Sequence, residues 1–218
     1  NDILSYQSRR KGKKIIVTAG STIEPIDPIR FIANRSSGKM GIAVAEEAAK
    51  QGADVTLIRG MTSVEPGGNL KDIRVETVAE MASAVKKHIK KADVLFHAAA
   101  VSDFFVKEKS PTKISSGQEL ALELSPTTKI LENIKKWNPK VFLVGFKAEY
   151  KVGHKELVKR ARGILQKSKA DIIVANDVGR NNVFGSDSAE VIIIRNKGEN
   201  LRLKSEKGVV AIKLLSLV

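Results

Sequence analysis

KKIIVTAG, residues 13–20, is the stretch on which the fold turns. Ile15, Ile16 and Val17 form a short β-branched run that stops at Gly20, the pattern of a buried strand. A long polar loop with Pro25 and Pro28 follows. Then GKMGIAVAEEAAKQGA (38–53) returns small apolar residues to one face and stops at Gly52, as a helix does. The next run, DVTLIRG (54–60), reads as a second strand, which makes the opening of the chain a βαβ unit.

The alternation continues outward. TVAEMASAVKKHIKKA (77–92) is an amphipathic helix with Thr77 as N-cap and Glu80 completing a capping box. DVLFHAAAVSD (93–103), VFLVGFKAE (141–149) and DIIVANDV (171–178) read as strands. SPTTKILENIKKW (125–137) and KELVKRARGILQKSKA (155–170) read as helices, the first opening at Thr127-Thr128 after Pro126. Residues 104–118 are polar, Lys-rich and unpatterned, the composition of a mobile loop. AEVIIIRNKGENLRLKSEKG (189–208) reads as a hairpin turning at 196–198, and VVAIKLLSLV (209–218) as a short helix. The fold class that follows is α/β: a Rossmann-like, doubly wound, mainly parallel sheet with helices on both faces and a C-terminal β-hairpin. Residues 1–13 read as linker-like and 14–218 as one domain.

In such sheets ligands bind beyond the C-terminal strand ends. Here those ends are TAGST, HAAAVSD, VGFKAE and ANDV, which carry small residues, carboxylates and a lysine. Common nucleotide motifs fail there. A P-loop needs G-x-x-x-x-G-K-[ST], but Met40 follows Gly38-Lys39 and Ala33 stands at the earlier glycine. The G-x-G-x-x-G fingerprint is absent after the first strand, and the second strand ends in Arg59 with no acid for a ribose. Arg59 suits a 2′-phosphate, which keeps an NADP-dependent reductase as the alternative function.

The remaining groups handle phosphate without a nucleophile. Gly20, Ser21 and Thr22 offer N–H groups and hydroxyls at a strand end; Ser36, Ser37 and Gly38 sit at a helix start, where serine either caps the helix or helps receive an anion. Thr127 and Thr128 have the same two readings. Asp103 can hold Mg²⁺ with phosphate oxygens, and Lys113 can close over a triphosphate as a lid. His97 ends a buried strand, where a core role and a site role are both open. Positioning and charge neutralisation suffice for nucleotidyl transfer.

Zero cysteines exclude disulfides, thiolate metal sites and a Cys nucleophile, and point to an intracellular protein. No apolar run approaches the ~20 residues of a membrane span, and the basic, polar N-terminal stretch does not read as a signal peptide. The net charge of +14 fits an anionic partner, but acids such as Glu46, Glu47 and Asp54 interrupt any nucleic-acid stripe. A nucleic-acid-binding module is therefore the weaker third hypothesis, to be tested by salt-dependent titration.

The blocks VTAGSTIEPIDPIRFIANRSSGKMG (17–41), AAAVSDF (98–104), TKISS (112–116), VGFKAE (144–149) and ANDV (175–178), in this order, closely resemble phosphopantothenate–cysteine ligases. The resemblance covers nearly everything from Lys14. In many bacteria and archaea that ligase is the C-terminal half of a bifunctional protein, fused behind a decarboxylase, and the start at Asn1 fits an excised half. The family implies a cytoplasmic homodimer that uses Mg²⁺ and a nucleoside triphosphate, CTP before ATP, to join 4′-phosphopantothenate to L-cysteine through an acyl-nucleotide.

By motif, the resemblance makes Asn34 and Lys113 catalytic. It gives nucleotide contacts to Gly20, Ser21, Ser36, Ser37, His97, Ala98, Ala99, Asp103, Lys113, Thr127, Thr128, Lys129, Ile130, Phe146 and Lys147. Substrate contacts fall to Arg30 (reaching from the neighbouring subunit), Asn34 and Ala100, and the metal to Asp103. Two departures bear on the base: Lys113-Ile114-Ser115 and Lys147 are nearer the eukaryotic form, which uses ATP. Arg160, Arg162, Lys167 and Lys169 do not match the register of the bacterial lysines.

Overall fold

The computed structural model describes residues 8–117, 119–179, 185–196 and 198–218. The chain runs through β1 (Lys14–Ala19), β2 (Ile23–Pro25), β3 (Phe31–Ala33), α1 (Lys39–Lys50), β4 (Asp54–Arg59), β5 (Lys71–Arg74) and α2 (Val78–His88). It continues through β6 (Val94–His97), β7 (Phe104–Val106), β8 (Leu124–Pro126), α3 (Ile130–Trp137), β9 (Phe142–Glu149) and α4 (His154–Ser168). β10 (Ile172–Asp177), β11 (Ser188–Arg195), β12 (Leu201–Glu206) and α5 (Lys207–Leu215) complete it.

Eight strands form one sheet in the order β12-β11-β10-β9-β6-β1-β4-β5. From β5 to β10 every neighbouring pair is parallel, while β11 and β12 add on antiparallel. The chain winds outward from β1 to β5, returns, and winds the other way from β6 to β10. The topological switch point therefore lies between β1 and β6.

Period-two alternation builds both faces. Ile15, Val17, Val55, Leu57, Val94 and Phe96 face one way and pack under α1 and α5, through Ile42, Val44, Val210 and Leu214. Ile16, Ile58, Leu95, Leu143 and Ile173 face the other way and pack under α2, α3 and α4, through Met81, Val85, Ile130, Ile134, Leu157 and Leu165. Each fully buried side chain of this kind contributes roughly 1.5–3 kcal/mol. The doubly wound α/β fold and its C-terminal hairpin are as the sequence indicates; the hairpin's Lys197 and residues 1–7 lie outside the described residues. Within the segment read as linker, Arg10 is docked: its N–H donates to Gln51 O at 2.8 Å and its guanidinium to Leu215 O.

Five strands escape the sequence reading. β2 and β3 form a hairpin inside the long polar loop, and β7 and β8 pair across the segment read as unpatterned. Each is three residues long, too short for a period to register. β5, Lys-Asp-Ile-Arg, is an exposed sheet edge whose polar residues hide its pairing with β4. The helix expected to open at Thr127 begins instead at Ile130, because Thr127 is held against the segment after β6: its N–H donates to Asp103 O at 3.0 Å and its hydroxyl to Ser102 O at 2.5 Å. At α1 no serine caps the helix: Gly38 holds the cap position at φ 74°, and Ser36 Oγ accepts the Gly38 N–H at 3.2 Å. At α2 Thr77 caps as expected, accepting the Glu80 N–H at 3.2 Å, while the Glu80 carboxylate accepts from Glu76.

Candidate active site

A cleft of about 830 Å³ opens over the C-terminal ends of β6, β9 and β10, beside the switch point. This is where a doubly wound sheet binds ligands, and the volume suits a nucleotide. Its floor and walls include Asn34, Ser36, Ser37, His97, Ala98, Ala99, Ala100, Asp103, Thr127, Thr128, Lys129, Ile130, Phe146 and Lys147. Four separate segments of chain thus meet at one surface.

Four of the expected site residues do not line it: Gly20, Ser21, Arg30 and Lys113. Gly20 is structural. At φ 74°, a Cβ there would meet Met61 O at 2.5 Å and Thr62 Cγ2 at 2.8 Å. Ser21 is fully buried, and its hydroxyl donates to the Asn34 carbonyl at 2.7 Å. The Asn34 side-chain amide donates to Val101 O at 3.0 Å. Asn34 is therefore fixed at both ends while its side chain stays exposed at the cleft.

Arg30 stands outside the cleft, where Nη1 donates to Asp27 Oδ2 at 2.8 Å and to Ile114 O at 3.0 Å. Asp27 also accepts the N–H groups of Ile29, Arg30 and Ile114. Burial acts to raise the Asp27 carboxyl, but these donors and the guanidinium outweigh it and hold it below the usual carboxylate range. Lys113 precedes Ile114 and is exposed. The β2–β3 turn and the lysine segment are thus clasped together.

His97 is buried, and removal from water lowers its pKa to about 4, so the ring is neutral. Asp103, the expected metal residue, pairs with Lys129. Among the described residues no group of three or more His, Asp or Glu side chains is arranged to hold a metal.

Several cleft residues carry no sequence signal. Lys39, at the start of α1, donates to Gly185 O at 2.8 Å and to Asp187 at 2.6 Å. Lys207, at the start of α5, donates to Ser186 O. Burial and the neighbouring Lys39 push the Lys207 amine down. Only the packing of α1 on α5 brings these lysines together. Of Arg160, Arg162, Lys167 and Lys169, Lys167 alone lines the cleft, paired with Glu132 at 2.9 Å. Glu149, also at the cleft, pairs with Lys147 at 3.3 Å and Arg160 at 2.9 Å.

Arg59 does not line the cleft. It is 3% exposed, and its guanidinium binds Asp72, Glu65 and Thr62. It has nothing left for a 2′-phosphate, which removes the feature that kept the reductase alternative open.

Among the described residues no helix is long and apolar enough to cross a membrane. Residues 10–218 match the profile of the DNA/pantothenate metabolism flavoprotein C-terminal domain. Over 186 residues the chain is 51% identical to the coenzyme A biosynthesis bifunctional protein CoaBC of Thermococcus kodakarensis, covering 84% of this chain and 45% of that protein. The chain thus spans about half the length of the curated relatives it matches. It superimposes on the crystal structure of a CoaBC C-terminal domain with a TM-score of 0.81 at 34% identity, covering 96% of this chain and 95% of that one. For the DNA/pantothenate metabolism flavoprotein from Streptococcus pneumoniae the TM-score is 0.84 at 30% identity, covering 94% and 98%.

Proposed function

This chain belongs to the family of the DNA/pantothenate metabolism flavoprotein C-terminal domain, and from that premise we propose that it is a phosphopantothenate–cysteine ligase domain spanning 14–218. The reading is carried by one observation. The cleft gathers an exposed, doubly anchored Asn34, the uncapped start of α1 and a lysine–aspartate pair, the parts that nucleotidyl transfer needs.

The proposed reaction has two steps. A carboxylate oxygen of 4′-phosphopantothenate attacks the α-phosphorus of CTP, and the bond to pyrophosphate breaks. The amine of L-cysteine then attacks the acyl carbon, the bond to the nucleotide phosphate breaks, and CMP leaves as the nitrogen gives up a proton. Asn34 donates to the acyl oxygen as negative charge gathers there. The N–H groups at the start of α1, beside Ser36 and Ser37, receive phosphate oxygens. Thr127, Thr128, Lys129 and Ile130 hold the nucleotide from α3, with Phe146 and Lys147 beside the base. Ala98 and Ala99 line the nucleotide and Ala100 the substrate. Asp103 would hold a Mg²⁺ that keeps phosphate and water as its other ligands, and the cation would supply charge neutralisation at the triphosphate.

Arg30 and Lys113 lie away from the cleft of their own chain, which supports their acting at a dimer. Arg30 reaches the substrate phosphate of the neighbouring subunit, and Lys113 closes over the triphosphate. Ile29 in the β2–β3 turn and Phe31, Phe104, Phe105 and Leu124 on the two small ladders are exposed, an apolar surface suited to a second copy. In the cell the domain is cytoplasmic and fused behind a decarboxylase.

Pyrophosphate release measured with phosphopantothenate and each of the four nucleoside triphosphates tests the proposal. CTP gives the highest rate. No release with any of them, or a nicotinamide-dependent absorbance change instead, would overturn it.

A further inference from the structure

His97 closes β6 beside Thr18 of β1, and the two lie in register. His97 Nδ1 is 2.8 Å from Thr18 Oγ1. That hydroxyl also accepts the backbone N–H of Ala99 at 3.2 Å. A hydroxyl has one hydrogen to give, and Nδ1 is its only acceptor in reach among the described residues. Directing that hydrogen at Nδ1 pairs the buried hydroxyl, whereas a hydrogen on Nδ1 would leave the hydroxyl's own unpaired, so the geometry favours Nδ1 as the acceptor nitrogen of the ring. A neutral imidazole carries its hydrogen on the other nitrogen, and burial keeps this ring neutral.

Nε2–H then has no partner among the described residues, and what exposure the ring has is to the cleft it lines. By strand alternation His97 projects to the face of Ile16 and Leu95, the face covered by α3. The start of α3 supplies Thr127 to Ile130 to the same cleft. An uncharged N–H donor beside them fits an acceptor atom without adding another cation to Lys129.

We propose that Thr18 locks His97 as a neutral Nε2–H donor to an acceptor oxygen of the nucleotide bound at the start of α3. This rests on the nucleotide-ligase reading and names a residue that orients the nucleotide without charge. His97 acts by hydrogen bonding; it does not transfer a proton.

Two-bond ¹H–¹⁵N correlation spectra of the imidazoles, with amide spectra of the same uniformly ¹⁵N-labelled chain, test it without relying on activity. The chain has three histidines, so the spectrum is small. His97 is expected as the ring with a protonated Nε2 and an unprotonated Nδ1, unchanged between about pH 5.5 and pH 8. Thr18→Val keeps the side-chain shape and should release the lock into a mixture of tautomers. Adding CTP should move the His97 Nε2 signal, and His97→Leu should raise the CTP Kd about three- to tenfold, with partial recovery in His97→Gln. A proton on Nδ1, or a mixed tautomer in the unsubstituted chain, overturns the lock. A His97 signal unmoved by CTP while the amides of Thr128 to Ile130 shift overturns the donor role alone. No signal anywhere moved by CTP or ATP overturns the donor role together with the ligase reading, whatever the tautomer.

Discussion

Arg30 and Asp27 form an ion pair at 2.8 Å in which the same guanidinium nitrogen also binds the Ile114 carbonyl. Asp27 completes the clasp by accepting the Ile114 N–H at 3.1 Å. The turn that carries Arg30 and the segment that carries Lys113 therefore move as one piece. Asp27→Asn keeps the shape but loses the charge that holds the guanidinium. KM for phosphopantothenate should rise on the order of tenfold or more, with a smaller effect on pyrophosphate release at saturation. An unchanged KM in steady-state kinetics would show that the clasp does not position Arg30.

Asn34 should matter in the second step and not the first. Its exposed amide stands at the cleft on a residue held through both its backbone and its side chain. Asn34→Ala or Asn34→Asp should still release pyrophosphate, while amide formation falls about 10²- to 10³-fold, the cost of losing one such donor. The acyl-nucleotide then accumulates and is visible by mass spectrometry. Normal amide yield would remove Asn34 from the mechanism.

Two glycines should respond to alanine with opposite sign. A Cβ at Gly41 in α1 would lie 2.7 Å from Ala19 Cβ and 3.0 Å from Thr18 O, so the helix would have to back away from β1. Gly41→Ala should destabilise by ~1–3 kcal/mol. At Gly163 in α4 a Cβ meets nothing within 4 Å, and alanine favours the helix. Gly163→Ala should stabilise by ~0.5–1 kcal/mol. Urea midpoints of the two variants check both signs.

Stability should fall as the solution is acidified from near pH 6.5 to near pH 4. In the folded state the His97 pKa is about 4, below its ordinary value of 6.5, so within that window the unfolded chain binds the proton and the folded chain does not. Stability from this group is complete above 6.5, declines as pH falls, and is gone below 4. The loss is on the order of 3 kcal/mol. Asp27, also held below its ordinary value, adds a loss at still lower pH. Urea unfolding at pH 7 and pH 4.5 measures the slope, and His97→Gln should flatten it.

The long elements were legible because their signal, an apolar run in the strands and a period in the helices, is local. Ile15 to Val17 and the apolar runs of β4, β6, β9 and β10 need no partner to be recognised. The β2–β3 and β7–β8 ladders were not legible, since three residues carry no period and their pairing spans a loop or a polar segment. Strand ends and motif blocks pointed to most of the cleft. Ser21 and Arg59 could not be placed from sequence for one reason: a hydroxyl or guanidinium at a strand end looks the same whether it faces a ligand or a neighbouring element. Only the partners decide, Asn34 O for one and Asp72 for the other.

The sequence by itself determined the strand–helix alternation, the two apolar faces, the failure of the P-loop and dinucleotide motifs, and the blocks that mark the family. Those are properties of residue type and spacing along the chain. The tertiary structure decided which polar groups face the cleft and which are spent on holding it. Asp27 meets Ile114, Thr18 meets His97, and Lys39 meets Asp187 across long stretches of chain. Each bond depends on where the sheet order and the helix packing bring the backbone, and that geometry is set by the whole fold acting at once.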